Sequence, residues 1–289
     1  MNNPLNRKVD FAVIATVTQA NPNGDPLNGN RPRQNFDGHG EISDVAIKRK
    51  IRNRLMDMGE AVFVQSDDRR LDDYDSLKAR AESNEKLDNI LKSKEKTDDD
   101  FAEIACDEWV DVRAFGQVFA YKGKGTKGTG VSVGVRGPVS IHAATSIDPI
   151  DITSTQITKS VNSESGKDRG SDTMGMKHRV DFGTYVFYGS INTQLAEKTG
   201  FTEYDAEKIK EALTTLFEND ASSARPEGSM EVNKVYWWPH HSKLGNYSSA
   251  KVHRTLNVSS TTEEPRSIED YHIEVEELEG LNVEVLDGK

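Results

Sequence analysis

The sequence has little of what a secreted, disulfide-stabilised or membrane-spanning protein needs. Its 289 residues include one cysteine, Cys106, so no intramolecular disulfide can form. No apolar run approaches the roughly 18 residues of a membrane-spanning helix, and the N-terminus lacks the basic and apolar segments of a signal peptide. These absences predict a cytoplasmic protein with no membrane partner.

Signatures of catalysis and of metal binding are also missing. The chain contains no Gly-x-Ser-x-Gly, no Walker A motif, no His-Glu-x-x-His and no cysteine pair. Gly123-x-Gly125-x-x-Gly128 formally matches a dinucleotide-binding motif, but a Val/Gly strand follows it where the motif requires a helix. A flexible loop, or a lysine-bearing flap over a phosphate backbone, is the better interpretation. The adjacent His240 and His241 would point to opposite sides of a strand. We expect no cofactor, no metal ion and no enzymatic activity.

What the sequence does contain is acidic charge concentrated in two blocks. The overall net charge is -11, of which residues 57–111 carry -10 and residues 263–289 carry -8. The other 207 residues therefore carry a net charge of +7. Because binding depends on the local potential and not on the total charge, the remainder of the chain is basic enough to contact phosphate groups.

A strand followed by an unusually long polar segment opens the chain. Residues 9–17, VDFAVIATV, have the composition of a well-buried strand. Residues 20–33 then read ANPNGDPLNGNRPR, and the polar character continues to about Asp44. Structureless connections longer than about 12–15 residues are usually functional or disordered. We interpret this segment as a functional loop.

A basic helix is predicted directly after this loop. Ser43 is a good N-cap, and Ile42 and Ile47 have the spacing of a hydrophobic staple. An apolar stripe follows at Ile47, Ile51, Leu55 and Met58, and the other positions are mostly basic: Lys48, Arg49, Lys50, Arg52 and Arg54. The basic positions can form a solvated helix face or supply phosphate contacts. The Asn/Arg-rich loop that precedes them favours phosphate contacts.

The rest of the chain predicts an α+β fold built as a single domain, residues 1–289, with insertions. Residues 60–111 have the composition of an acidic helical insertion, and residues 151–177 resemble a projecting β-hairpin. A helix is expected at about 203–219, capped by Thr202. Strands and helices interleave without a regular βαβ repeat, which indicates one main sheet.

A second candidate for nucleic-acid contact lies in the middle of the chain. Arg113, Phe115 and Gln117 combine a guanidinium, an aromatic ring and an amide, a set that can contact single-stranded bases. Packing of Phe115 in the core is an equally good interpretation. Arg136, in the turn Arg136-Gly137-Pro138, is a further candidate contact.

In this order, several stretches resemble the backbone subunit of the type I-C Cascade, a CRISPR RNA-guided surveillance complex in prokaryotic antiviral defence. They read NPNGDPLNGNRPR, DVAIKRKIRNR, DVRAFG, VRGPVSIHAATSIDPI, TMGMKHRVDFGTYVFYGSIN, LAEKTGF and KLGN, between residues 9 and 258. The resemblance implies a modified ferredoxin-like (RRM-like) palm with helical fingers and a β-hairpin thumb. It also implies a head-to-tail homo-oligomer that polymerises along the guide RNA, presents it to target DNA and contacts other Cascade subunits.

Transferred to this sequence, the resemblance places guide RNA on the opening loop, the basic helix and the thumb. Met174 would wedge between bases, with Lys177 and His178 at the base of the thumb. His142 departs from the expected pattern, which has a bulkier apolar or an amide side chain there. The complete set of expected RNA contacts is Asn21, Asn23, Gly24, Arg31, Arg33, Lys48, Arg49, Arg52, Asn53, Arg113, Gln117, Arg136, Met174, Lys177 and His178.

The alternative function is a metal-dependent endoribonuclease. Related backbone subunits of type III effector complexes cut target RNA with an aspartate in the loop after the first strand. Asp25 and Asp37 are the candidates in this loop. Asp25 lies in Asn-Gly-Asp-Pro, a turn sequence in which aspartate typically accepts a hydrogen bond from its own backbone. The scaffold function is therefore favoured.

Overall fold

A computed structural model describes residues 3–92, 98–122, 130–158 and 174–289. The strands are β1 (Val9–Ala20), β2 (Gly24–Asp25), β3 (Arg31–Pro32), β4 (His39–Ile42), β5 (Gly116–Lys122), β6 (Gly130–Arg136), β7 (Val139–Ile141), β8 (Ala144–Pro149), β9 (Ile152–Thr158), β10 (Met174–Ile191), β11 (Met230–Pro239), β12 (Leu256–Ser260), β13 (Tyr271–Val275) and β14 (Glu284–Asp287). The helices are α1 (Asp44–Asp57), α2 (Leu77–Ser83), α3 (Glu85–Lys92), α4 (Asp98–Glu108), α5 (Val110–Phe115), α6 (Thr193–Thr199), α7 (Glu203–Thr214) and α8 (Ser249–His253).

The main sheet has the strand order of a ferredoxin-like fold. Its strands follow the order β14-β11-β1-β10-β8-β4, with β7 and β9 also paired to β10, and these pairings are antiparallel. The series β1-α1-β8-β10-α7-β11 has the β-α-β-β-α-β connectivity, with β1 between β10 and β11. The expected α+β class and modified ferredoxin-like palm are confirmed.

The central strand, β1, is buried on both faces. Phe11, Val13 and Val17 belong to the main core, which also contains buried side chains of α1 and α7. Ala12 and Ile14 face the opposite side, in a smaller core with residues of α8 and of the β12–β13 hairpin. Side chains alternate across a strand, so β1 connects both layers of the palm.

Helix α1 begins as its sequence predicts. The Oγ of Ser43 accepts a hydrogen bond from the backbone N–H of Ala46 at 3.3 Å, and Ile42 and Ile47 are both buried in the main core. Ile47, Ile51 and Leu55 are buried in the main core. At the C-terminal end, Met56 is buried while Met58 is only partly buried.

The acidic insertion has a core of its own. Phe63, Leu87 and Phe101 are fully buried together, with the rings of Phe63 and Phe101 packed against that of Phe119. Phe119 lies on β5, so this core extends past residue 111, where the acidic composition ends. The β5–β6 ribbon lacks the acidic charge that marks the insertion in the sequence. Only its packing shows that it belongs to the core of the insertion.

The long polar segment after β1 is more ordered than its composition predicts. Strands β2 and β3 form a two-stranded ribbon, and β4 joins the edge of the main sheet by pairing with β8. On β4, Gly40 lies against the Tyr185 hydroxyl, where a Cβ atom would overlap with it. These short strands are held by backbone hydrogen bonds and by the close contact of Gly40 with Tyr185. Hydrophobic periodicity in the sequence does not reveal either kind of contact.

Two further expectations concern a helix and the projecting hairpin. Thr202 and Asp205 form a capping box at the start of α7, as expected, but the helix ends at Thr214 and not near residue 219. Strands β9 and β10 pair from Ile152↔Val180 to Thr158↔Met174. The expected hairpin tip lies outside the described residues, as does the lysine-bearing loop at 123–129. None of the described helices is both long and apolar enough to cross a membrane.

Gly189 offers a test of the packing around β1. Phe11 pairs with Gly189 on one side and stacks on Trp237 on the other, with ring centroids 5.7 Å apart. A Cβ atom at Gly189 would overlap with the Phe11 ring and the Ser140 carbonyl oxygen. We expect Gly189→Ala to lower the free energy of unfolding by about 1–3 kcal/mol, measured by urea titration.

Gly134→Ala is the matched control. Gly134 also lies in a strand, β6, but a Cβ atom there meets nothing within 4 Å. Its substitution should change the free energy of unfolding by less than about 1 kcal/mol. Equal effects at the two glycines would contradict the packing described for Phe11.

Candidate functional site

A groove of about 660 Å³ runs beside α1. We call it the α1 groove, and it is bounded by α1 and by residues within 22–30, 66–69 and 219–225. The face of α1 that lines it consists of Ala46, Arg49, Lys50 and Asn53. This i, i+3, i+4, i+7 spacing is one side of a helix, and it lies beside the apolar stripe that enters the core.

Basic side chains predominate in the α1 groove. Arg49, Lys50, Arg69 and Arg225 line it, against the two carboxylates of Asp68 and Asp220. The groove is therefore locally positive in a chain whose overall net charge is -11. A concave surface with excess positive charge is suited to bind an anionic ligand.

Burial raises the electrostatic cost of keeping these cations together. Desolvation lowers the pKa of Lys50 to about 8, with Asp220 opposing the shift and Arg225 adding to it. Burial, and then the charge of Arg52, also lowers the pKa of Arg49. Asp220 forms an ion pair with Lys50 and accepts a hydrogen bond from Arg225 Nε at 3.0 Å. An anion entering the groove would further offset the cost of burying these charges, which Asp220 offsets only in part at Lys50.

Two arginines of the groove, Arg69 and Arg49, are held in place by neighbouring carboxylate and carbonyl oxygens. Arg69 Nη2 lies 2.9 Å from Asp57 Oδ1, and its Nη1 donates to the Asn219 carbonyl oxygen at 2.8 Å. Arg49 Nη1 donates to the Val64 carbonyl oxygen at 3.0 Å. These contacts fix the guanidinium groups around the groove before a ligand arrives, which reduces the entropy lost on binding.

The β2–β3 ribbon links the groove to the paired strands β9 and β10, which we call the hairpin. Asn23 and Gly24 line the groove, and Asn23 Oδ1 accepts a hydrogen bond from the Ser43 N–H at 2.9 Å. At the other side of the ribbon, Arg31 Nη1 donates to Ser154 Oγ on β9 at 2.9 Å. The groove, the ribbon and the base of the hairpin are thus in direct contact.

The hairpin presents two chemically different faces. Met174, Met176 and His178 alternate along β10, so they share one face. The two methionine side chains are 52% and 54% exposed. Lys177 lies on the opposite face with Arg179. The predicted contacts Met174 and His178 are therefore brought together, whereas Lys177 is separated from them.

Comparison with protein families gives one match that covers most of the chain. Residues 7–276 match the family model described as CRISPR-associated protein Cas7. The chain belongs to the Cas7 family.

Two known proteins are similar to this Cas7-family chain. It is 25% identical over 293 aligned residues to a CRISPR-associated protein Cas7 of Haloferax volcanii, covering 95% of this chain and 82% of the relative. It also resembles a chain of a solved structure entitled "CRISPR RNA-guided surveillance complex, pre-nicking", with a TM-score of 0.50 and 18% identity. That match covers 80% of this chain and 78% of the other, and it indicates a shared fold.

Two arginines predicted to contact RNA are engaged by carboxylates inside this Cas7-family chain. Arg52 Nε donates to Asp111 Oδ2 at 2.9 Å, and Arg113 forms two hydrogen bonds to Asp205 at 2.8 and 3.1 Å. Neither arginine lines the α1 groove. We therefore remove both from the proposed contact set. Phe115 packs against the main core, in agreement with the alternative stated for it.

Other predicted contacts are dispersed. Lys48 forms an ion pair with Asp44 one turn away. Arg33 Nη2 lies 3.7 Å from Oδ1 of Asp25, which is on the β2–β3 ribbon. Gln117 and Arg136 lie on the β5–β6 ribbon of the insertion and do not line the groove. Asn21 does not line it either, but its Nδ2 donates to the carbonyl oxygen of Asn30, which does, at 2.7 Å.

Arg69 and Arg225 are the two arginines of the groove lining that sequence reasoning missed. Arg69 lies in the sequence DDRR, within the acidic block at residues 57–111. Arg225 lies in a polar loop more than 150 residues further along the chain. Neither stretch has a local pattern that indicates binding. Lys50 was recognised as part of the basic helix but not as a groove residue.

The geometry around the two candidate catalytic aspartates is that of turns. Asp25 Oδ1 accepts a hydrogen bond from the Leu27 N–H and caps a short 3-10 helix, as its turn sequence predicts. Asp37 lies in a turn in which Asn35 Oδ1 accepts from the Asp37 N–H at 3.0 Å. Across the described ranges, no group of three or more His, Cys, Asp or Glu side chains is arranged to hold a metal ion.

Arg52 allows a test of its structural role. Asp111 is fully buried and also accepts hydrogen bonds from the N–H groups of Phe63 and Val64, so it ties the insertion to α1. Removing the arginine leaves a buried carboxylate without its counter-charge. We expect Arg52→Ala to reduce the free energy of unfolding by about 3 kcal/mol in a urea titration.

Lys48→Ala is the control on the same helix. Its ion pair with Asp44 is a partly exposed i,i+4 pair on one helix, so its loss should cost less than about 0.5 kcal/mol. If both variants unfold at the wild-type urea concentration, Arg52 is available for ligand contact and the structural assignment is wrong.

Proposed function

We propose that this Cas7-family chain is a non-catalytic backbone subunit that binds guide RNA and presents it for pairing with target DNA. The observation that carries the proposal is the α1 groove, in which Arg49, Lys50, Arg69 and Arg225 form a positive surface on an acidic protein. Membership of the Cas7 family and a fold shared with a chain of an RNA-guided surveillance complex support it.

The geometry accounts for binding without sequence preference. Guanidinium and ammonium groups contact phosphates, which are the same at every nucleotide. Met174 and Met176 offer an apolar, deformable face on which unstacked bases can pack. The β2–β3 ribbon joins these two elements, so one strand of RNA can lie along the groove and reach the hairpin.

The proposal includes assembly. Successive copies arranged head to tail on one guide RNA form an open filament, because a heterologous interface does not close as a two-fold dimer does. Other subunits of a Cascade complex would bind the filament, and the proposed location is the prokaryotic cytoplasm.

The endoribonuclease alternative has no observation in its favour. Asp25 is engaged in capping a turn and lies 3.7 Å from Arg33, and Asp37 lies in a separate turn. A metal-dependent nuclease needs carboxylates that converge on a metal ion. The described part of the loop has no such convergence.

The groove makes a quantitative prediction for RNA binding. Each phosphate contact on a single strand contributes about 0.7 to the slope of log affinity against log salt. Substituting Arg49, Arg69 and Arg225 together by Gln should flatten that slope by about two and weaken binding. Fluorescence anisotropy with a single-stranded oligoribonucleotide, repeated at several salt concentrations, measures both quantities.

The matched control replaces three exposed arginines outside the groove. Arg7, Arg254 and Arg266 lie elsewhere on the surface, and their combined change to Gln removes the same total charge. If this control flattens the slope as much as the groove variant does, binding reflects net charge alone. The groove would then not be the RNA site.

Assembly is tested by the oligomeric state with and without RNA. We expect the isolated chain to be monomeric or polydisperse and to form a defined oligomer when a guide RNA of fixed length is added. The number of subunits should increase with RNA length, which light scattering after size-exclusion chromatography can measure. A stable two-fold dimer that persists without RNA would contradict the filament.

A further inference from the structure

The α1 groove contains a polar side chain whose hydrogen bonding is incomplete. Asn53 lines the groove and is 7% exposed. Its Oδ1 is buried and has no hydrogen-bond donor among the described residues. Several other described residues have a buried polar atom without a hydrogen-bond partner. Among these described residues, only Asn53 also lines the groove.

An unsatisfied amide at this position is costly to the free protein. A buried acceptor without a donor loses its hydration with no compensation, and asparagine is less favourable inside a helix than alanine or leucine. Asn53 lies within α1, whose Ile51 and Leu55 neighbours are buried in the core. Local structure therefore gives no reason for an amide here, which indicates a donor that comes from a ligand.

The chemistry of a nucleotide limits which group can supply this donor. Phosphate oxygens only accept hydrogen bonds, and the donors on the bases change with sequence. The ribose 2′-hydroxyl is a donor that is present at every RNA nucleotide and absent from DNA. It is separated from the adjacent phosphates by one sugar, so it can reach Asn53 while a phosphate contacts Arg49 one helical turn away.

We infer that Asn53 accepts a hydrogen bond from a ribose 2′-hydroxyl and makes the groove selective for RNA over DNA. This inference rests on the proposed function and adds the group that the groove recognises. Rotation about χ2 of asparagine has a broad profile, so the carboxamide can turn its oxygen toward the groove when the hydroxyl arrives. The arginines supply affinity for either nucleic acid, and Asn53 supplies the discrimination.

The test compares three oligouridylates of one length: RNA, DNA and 2′-fluoro RNA. The fluorine substituent keeps an RNA-like sugar but cannot donate a hydrogen bond. We expect the full-length wild-type chain to bind RNA about tenfold more tightly than 2′-fluoro RNA, which corresponds to about 1.4 kcal/mol. Asn53→Leu should bind RNA and 2′-fluoro RNA equally.

Asn233→Leu is the matched control, because Asn233 Oδ1 is likewise buried without a donor among the described residues but lies outside the groove. This variant should keep the wild-type preference. A wild-type chain that binds RNA and 2′-fluoro RNA equally overturns the inference without any variant. An Asn53→Leu chain that keeps the wild-type ratio also overturns it. If the wild type binds none of the three oligonucleotides, the proposed function itself is contradicted. Failure of the inference and failure of the proposed function are therefore distinguishable.

Discussion

The rotational position of α1 is the constraint on which the candidate site depends. Ile47, Ile51 and Leu55 are buried in the core of the palm, and this burial fixes which side of the helix faces each neighbour. Arg49 and Asn53 then face the groove, while Arg52 faces the insertion and forms an ion pair with Asp111. A turn of the helix by one residue, about 100°, would exchange these roles, so packing of apolar side chains determines the electrostatics of the site.

The protein maintains a positive surface within an acidic chain by using its carboxylates locally. Asp57 contacts Arg69, and Asp220 bridges Lys50 and Arg225, so each cation is oriented by a partner at the edge of the groove. Asp220 does not fully offset the burial of Lys50, because desolvation keeps the pKa of Lys50 below its ordinary value. The same residues that stabilise the free groove thus leave it able to accept an anion.

The proposed site divides phosphate contact and sugar contact between different residues, which separates two functions of the groove. Charges give affinity and act on any nucleic acid, whereas one neutral amide can discriminate between sugars. The hairpin adds a third element, since strand alternation places its two methionines on one face and Lys177 with Arg179 on the other. A single ribbon, β2–β3, positions the groove relative to the hairpin through Asn23 at one side and Arg31 at the other.

The sequence by itself determined the local elements and the family resemblance. The cap at Ser43, the stripe of α1 and the capping box at Thr202 follow from short-range chemistry, which neighbouring residues specify. The sequence could not determine which basic side chains form ion pairs with carboxylates and which line the groove. Lys48, Arg49 and Arg52 look alike in the sequence, and only the fold brings Asp111 to Arg52 from 59 residues away and Arg225 into the groove beside Arg49. The last part of the long polar segment likewise became a strand, β4, through backbone pairing with the distant strand β8. Contacts between residues far apart in sequence leave no periodic pattern, and tertiary structure alone decided them.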